Sequence, residues 1–398
     1  MQRTPKVVIA GAGIGGLTAA TCLMARGIDV EVYEQASELA EVGAGLWLSV
    51  NGARVLFGLG LEADIRASTM EAEERAVRLW DTGRKWTLYK RGLTPAAHAP
   101  FVMLRAQLHR VVIDAANRAK PGVIRLQKRA VEVSQDAGRA RLGFADGTTA
   151  EGDVVIGADG VHSRVRRALH GDRPGRFTNA LAWRGLVPME RLGPQHRAPI
   201  VTTWVGPTAH VSAYPARFEG RDLMTFSGQV ERGDWQVESW SERGSVEECA
   251  ADFTGWHPEV LEMVRAADSL YKWGLFVRDP LPRWTVGRVT LLGDACHSMV
   301  PYLGQGVNMA VEDACVLARC IDAGRDDLPA ALARYEAARI ERRTVVAARS
   351  ADMQYTFHNP ALGDPATAEA YVESQWNPRK ARERYDWIYD YDATQVAI

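Results

Sequence analysis

Residues 7 to 16 read VVIAGAGIGG, and the fold follows from that stretch. Lys6 to Ala10 is a short β-branched run, and Ile14 to Arg26 carries helical spacing through Leu17, Ala20 and Leu23. Between them Gly11, Gly13 and Gly16 fit GxGxxG, with Ile14 and Gly15 completing the turn. One glycine permits the tight turn, one lets the backbone approach a pyrophosphate, and one lets helix and strand pack closely. A second alternating run, Asp29 to Tyr33, ends at Glu34, 21 residues beyond Gly13, where a carboxylate can hold ribose hydroxyls. Such a unit binds an adenine dinucleotide; by itself it does not separate NAD from FAD.

The remaining composition narrows the class. The chain has 398 residues, 46% apolar and 24% charged, enough for two or three domain-sized units. Its net charge of -1 gives no basic footprint of the kind a nucleic-acid partner needs. No apolar run is long enough to span a membrane, and MQRTPKVVIA runs straight into a strand, so no secretory signal is expected. The five cysteines form no CxxC pair and read as reduced core thiols of a cytoplasmic protein. Cys296 and His297 are adjacent but too few for a metal site, so no metal is expected.

Outward from the first unit, Val42 to Leu48 reads as a second backbone-exposing loop, followed by a helical stretch from Ala53 to Leu59. Residues 76 to 90 form a hairpin turning at Asp81-Thr82-Gly83, and Arg105 opens a helix. Short strands follow at 123–126, 130–134 and 140–144, turning at Asp136-Ala137-Gly138 and Asp146-Gly147. DVVIGADGVHSRVRRAL, 153 to 169, repeats the strand, loop and helix theme, with Ser163 as a cap; a capped surface helix is the plain alternative to a cofactor role. Residues 176 to 280 alternate in long runs and predict a mostly antiparallel sheet.

The expected fold class is therefore α/β: a Rossmann-like domain with an inserted, mostly antiparallel sheet and C-terminal helices. The dinucleotide domain is expected at 1–72, 100–175 and 281–345, the sheet domain at 73–99 and 176–280, and a helical, aromatic tail at 346–398.

LLGDACHSMVPYLGQGVN, 291 to 308, is a second strand, loop and glycine-led helix. An NAD enzyme needs one cradle, whereas FAD has two distant ends to hold. In that reading Asp294 accepts hydrogen bonds from ribityl hydroxyls, and the helix from Gly304-Gln305-Gly306 aims its N-terminus at the flavin pyrimidine edge. A helix N-terminus favours a reduced-flavin anion by about 0.3–1 kcal/mol, up to about 2 when well buried.

GAGIGG with EVYEQ, GADGVHSRVR and GDACHSMVPYLGQGVNMAVEDA together resemble the single-component FAD-dependent aromatic monooxygenases of the p-hydroxybenzoate hydroxylase fold. The likeness is to the salicylate, 3-hydroxybenzoate and 6-hydroxynicotinate branch, and extends to YEAARIERR (335–343) and YDWIYDYDA (385–393). It implies that Gly11, Gly13, Ile14, Gly15 and Gly16 wrap the FAD diphosphate, and that Glu34 and Gln35 meet the adenosine. Gly45, Arg105, Ala130 and Asp159 would also contact cofactor, Asp294 the ribityl chain, and Gly304, Gln305, Gly306, Val307 and Asn308 the ring. It implies NADH or NADPH as donor, O2 as co-substrate, a flavin C4a-hydroperoxide as hydroxylating species and a small aromatic substrate. Monomer and homodimer stay equally open.

Such chemistry needs a base beside the substrate hydroxyl and a dry wall. His210 and Tyr214, in AHVSAYP, stand on one face of a strand, and the resemblance places such a pair over the flavin. A histidine bonded within an ordinary sheet is the plain alternative. Trp47 stands where the hydroxynicotinate branch has a histidine; it either stacks on a flat substrate or fills core. Pro301 and Tyr302 are expected beside ring and substrate, and Arg184 meets either a substrate carboxylate or a structural ion pair. Rival readings are epoxidation, ring opening or N-hydroxylation on the same fold, a non-catalytic flavin sensor, and a simple NAD dehydrogenase. The halogenase pattern WxWxIP is absent from the sequence.

Overall fold

The structure is a computed structural model that describes residues 4–39, 45–92, 101–235, 237 and 242–398. Its first layer is a five-stranded parallel sheet in the order Val289–Leu291, Val154–Gly157, Lys6–Ala10, Asp29–Tyr33 and Ile124–Arg125. The inner strands Lys6–Ala10 and Val154–Gly157 read as continuous Val/Ile runs because they are buried on both faces. The crossover helix Ile14–Met24 lies against the helix Gly306–Ala323, so both glycine-led N-termini emerge at the same end of the sheet. Two antiparallel hairpins, Ala130–Gln135, Ala140–Phe144 and Thr149–Gly152, sit beside this layer. They turn at Asp136, whose carboxylate accepts from the Gly138 amide, and at Gly147, where φ is +81°.

The second layer is an eight-stranded sheet. Its order is Arg243–Gly244, Ser269–Val277, Arg176–Pro188, Arg221–Glu231, Ala209–Phe218, Ile200–Val205, Glu74–Leu79 and Lys85–Lys90. Every pairing is antiparallel except Ile200–Val205 with Glu74–Leu79, which is parallel. Alternation divides the sheet cleanly. Leu181, Trp183, Trp204, Val211 and Phe226 pack with Phe253 and the helix Pro258–Ala266 on one face. Arg75, Arg184, Thr203, His210, Ser212 and Tyr214 lie on the other, towards the first layer.

Two expectations are corrected. Val42–Leu48 was expected as an open loop; Gly45–Leu48 is instead a strand, antiparallel to Phe101–Leu104, while residues 42–44 lie outside the described residues. A boundary at 345 cuts through one continuous helix of 30 residues, Leu328–Phe357. That helix is held by charge: Arg339, fully buried, meets Glu312 at 2.7 Å and Asp313 at 2.8 Å on the neighbouring helix. Its polar positions therefore face inward, which hides the pattern an apolar stripe would give. No helix among the described residues is long and apolar enough to cross a membrane.

Candidate active site

A cavity of about 340 Å³ opens between the two layers. Its floor is the first glycine turn, the Asp294 loop and the start of the helix Gly306–Ala323. Gly11 (φ +104°) lies so close to the neighbouring strand end that a Cβ would fall 2.4 Å from the Ala158 carbonyl oxygen. At Gly16 a Cβ would fall 2.1 Å from the Gly11 oxygen, which is the close helix–strand approach the motif requires. At Gly13 and Gly306 it would meet nothing within 4 Å, because those two glycines border open cavity. The space above them therefore suits a diphosphate and a flat ring, and the donors around it are backbone amides of helix first turns, which have no intrahelical acceptor.

Glu34 closes the turn from the side. Its carboxylate accepts from the Ala12 amide at 2.9 Å and the Ala36 amide at 2.9 Å, leaving lone pairs for a ribose. Gln35 is exposed beside it. Ile14, Gly15, Gly45, Arg105, Asp294, Gly304, Val307, Pro301 and Tyr302 all line the cavity.

Four expected cofactor residues occupy other positions. Ala130 lies at the head of a hairpin strand, packed on the core of the first layer rather than on the cavity. The Asp159 carboxylate accepts from Ser163 Oγ (2.5 Å) and from the Arg164 and Val165 amides (2.7 and 3.2 Å). It caps the helix Arg164–His170, and its backbone neighbours Ala158 and Gly160 reach the cavity instead. Gln305 and Asn308 are buried clamps. Gln305 bonds Ser49 and Asn51, and Asn308 bonds the Trp47 carbonyl at 3.1 Å and the Ser49 amide at 3.0 Å, locking the strand Gly45–Leu48 to the glycine-led helix.

The ceiling is polar along its middle. Arg184, Ser227, Ser212 and Thr203 are successive cross-strand partners, forming one row above the floor. His210 and Tyr214 flank that row on the same face. His210 stacks on Phe357 (centroids 4.5 Å apart) and lies 5.4 Å from the ring of Tyr302 in the Asp294 loop. Its Nδ1 is 2.7 Å from His358 Nε2, and His358 Nδ1 is 3.0 Å from Glu231 Oε1. Burial, then the neighbouring His358, pushes the His210 pKa well below the usual histidine range. Burial raises the Tyr214 phenol, which stays a neutral donor.

The Arg184 guanidinium sits over Trp273 at 4.5 Å, and burial brings its pKa down to about 10. Sequence reasoning missed a second guanidinium on the same wall. Arg75 is held between the rings of Trp47 (4.7 Å) and Tyr385 (4.8 Å), with Tyr385 Oη at 3.0 Å. Its Nε is buried with no hydrogen-bond partner among the described residues. Burial opposes the Tyr385 phenolate, but Arg75 and Arg384 outweigh it and hold that pKa below its ordinary value. Tyr385 and Tyr389 line the cavity, so the aromatic C-terminal segment is part of the site.

Comparison with known proteins completes this picture. Residues 4–350 match the family profile described as FAD binding domain. A 3-amino-4-hydroxybenzoate 2-monooxygenase of Streptomyces platensis is 38% identical over 395 residues, covering 98% of this chain and 97% of the relative. The chain belongs to the FAD-dependent aromatic monooxygenases. Within that family, a 6-hydroxynicotinate 3-monooxygenase of Bordetella bronchiseptica is 34% identical over 94% of this chain and 99% of its own. HpxO of Klebsiella pneumoniae, solved with FAD and uric acid, superposes with a TM-score of 0.82 at 29% identity, covering 98% of this chain and 97% of that one. The monooxygenase fold of this chain thus agrees with its relatives along nearly the full length, and FAD is the group whose two ends the two glycine-led turns fit.

Proposed function

We propose that this monooxygenase hydroxylates a small aromatic ring bearing both a hydroxyl and a carboxylate, with NADH or NADPH as electron donor and O2 as oxygen source. The observation that carries the reading is His210: a neutral imidazole bordering the cavity, beside Tyr302 of the loop that would hold the flavin. The names of the relatives agree, since 3-amino-4-hydroxybenzoate, 6-hydroxynicotinate and 3-hydroxybenzoate each pair a ring hydroxyl with a carboxylate.

Bound FAD supplies the activation of O2 and the transfer of one oxygen atom to the ring. The protein's own part is proton handling and placement. Gly11, Gly13, Gly16, Glu34, Arg105 and Asp294 hold the cofactor. His210 accepts the proton of the substrate hydroxyl, which makes the ring more electron-rich, and Tyr214 donates to the substrate from four residues further along the same strand face. Arg75 meets the carboxylate with its free Nε, clamped by Trp47 and Tyr385 so that little side-chain freedom is lost on binding. Trp47 then serves as a flat wall. Met299, Leu303 and Phe357 keep water from the reacting ring.

The test is NADH and NADPH oxidation by the FAD-loaded protein with a panel of hydroxybenzoates, aminohydroxybenzoates and hydroxypyridine carboxylates, counting peroxide. A compound that accelerates oxidation and appears as hydroxylated product without peroxide supports the reading. Slow oxidation across the panel, or oxidation ending wholly as peroxide, refutes it for these rings. His210→Ala should then lose about 10²- to 10⁴-fold in hydroxylation while keeping FAD.

A further inference from the structure

His210 is buried, yet a base that accepts one proton per turnover must also discharge it. The structure holds a route. His210 Nδ1 lies 2.7 Å from His358 Nε2, and His358 Nδ1 lies 3.0 Å from Glu231 Oε1. The His358 side chain is fully buried, whereas the Glu231 side chain is 38% exposed. Three groups thus run from cavity wall to solvent. They come from two strands, Ala209–Phe218 and Arg221–Glu231, and from the C-terminal end of the helix Leu328–Phe357.

Hydrogen-bond direction along this chain is determined at its outer end. An ionised carboxylate only accepts, so His358 Nδ1 carries the proton and donates it to Glu231. In neutral His358, Nε2 is then a lone pair, and His210 Nδ1 must be the donor towards it. That leaves His210 Nε2, on the opposite edge of the ring, unprotonated and available to the cavity. The surface carboxylate thereby determines that the buried histidine meets substrate as a base rather than as a donor.

We propose that His358 and Glu231 form a proton exit, in which the substrate proton is taken up at His210 Nε2 while His210 Nδ1–H passes to His358 Nε2 and His358 Nδ1–H passes to Glu231 and on to water. Each imidazole gains one proton at Nε2 and loses one at Nδ1, so both histidines end neutral, and the negative charge stays on the substrate oxygen, where it activates the ring. Glu231 is held for this role by Gln354, whose Nε2 donates to the same oxygen at 3.2 Å, and Gln354 Oε1 in turn accepts from Tyr302 at 3.3 Å. The titratable groups facing His210 are thus His358 and Tyr302, with Glu231 behind His358. His358 and Glu231 are positioning residues that act through His210. The substrate half of this scheme rests on the hydroxyl-bearing ring proposed above; the tautomer half does not.

The two halves are tested separately. Ring 15N NMR of histidine-labelled, FAD-loaded full-length protein at neutral pH should show His210 and His358 both neutral and both protonated at Nδ1. In Glu231→Gln, a surface substitution, the carboxamide can donate or accept, so His210 should lose its single tautomer. Protonation of wild-type His210 at Nε2, or unchanged signals for both histidines in the variant, overturns the exit. Stopped-flow absorbance then follows ionisation of 3-amino-4-hydroxybenzoate, 3-hydroxybenzoate and 6-hydroxynicotinate on binding. Ionisation in wild type slowed at least tenfold in Glu231→Gln and in His358→Gln supports the exit, with FAD content reporting folding. Equal rates in all three proteins overturn it. If no probe ionises on wild type, the hydroxyl-substrate reading falls, and the NMR result alone decides the tautomer chain.

Discussion

Arg343→Met is the substitution that most directly tests how the long C-terminal helix shapes the cofactor loop. Arg343 is fully buried on the helix Leu328–Phe357, and its guanidinium donates to the Gly293 carbonyl at 2.7 Å and the His297 carbonyl at 2.9 Å. These two carbonyls bracket Asp294. Methionine has a similar reach but no donors. Gly293 keeps two other amide donors, from Cys296 (3.1 Å) and His297 (3.2 Å), so its loss is one charge-assisted bond, about 1.5–3 kcal/mol. The His297 carbonyl loses its charged donor in a dry setting, about 1–3 kcal/mol. Asp313, 3.4 Å from Arg343, keeps Arg339 at 2.8 Å and is not left as an isolated buried charge. The sum, about 2.5–6 kcal/mol, spans the cost of breaking a buried charged contact and is a large part of a domain's whole stability. Denaturant unfolding of apoprotein and FAD titration by flavin fluorescence measure the two consequences. The unfolding midpoint should fall, and FAD should bind at least tenfold more weakly because the Asp294 loop loses its anchor. Arg343→Met with unchanged FAD affinity would show that Asp294 is positioned without the helix and would refute this reasoning.

Three further outcomes are expected. Asp294→Ala should weaken FAD retention with little change in unfolding of the apoprotein, because Asp294 is an exposed residue on the cavity floor; a variant that purifies fully yellow speaks against the ribityl contact. Arg75→Met should raise KM for an aromatic carboxylate about tenfold or more and leave KM unchanged for the decarboxylated ring, whereas the reverse ranking in Arg184→Met would move the carboxylate to the Trp273 side. His297 gives a pH dependence. Burial, then Arg343, lowers its pKa to about 4, against roughly 6.5 unfolded, so the unfolded chain takes up the proton first. Its contribution is fully present above about pH 6.5 and is lost as pH falls towards 4, about 3 kcal/mol in all. Urea midpoints measured across that window should rise with pH, and His297→Asn should flatten the slope; an equal slope in both proteins would exclude His297 as its source.

The local elements were legible in the chain itself. The glycine turn at 11–16, the hairpin around Asp81-Thr82-Gly83, the turn at Asp146-Gly147 and the helix opening at Arg105 each depend on a few neighbouring residues, and side-chain periodicity reports them directly. The two glycine-led turns also pointed to FAD, the cofactor of the family to which the chain belongs. Tertiary structure decided the rest. Asp159 matched a motif but serves as a helix cap, and Gln305 and Asn308 face the strand Gly45–Leu48 rather than the cavity, because which side of a helix or loop faces ligand depends on what packs behind it. The working wall of the site is assembled from partners with no sequence relationship. His210 and His358 lie 148 residues apart, and Arg75 and Tyr385 lie 310 apart. Neither spacing carries a period or a motif. The parallel seam between Ile200–Val205 and Glu74–Leu79 sets Arg75 and His210 on one wall, the helix Pro378–Tyr389 brings Tyr385 to Arg75, and the end of the helix Leu328–Phe357 seats His358 behind His210.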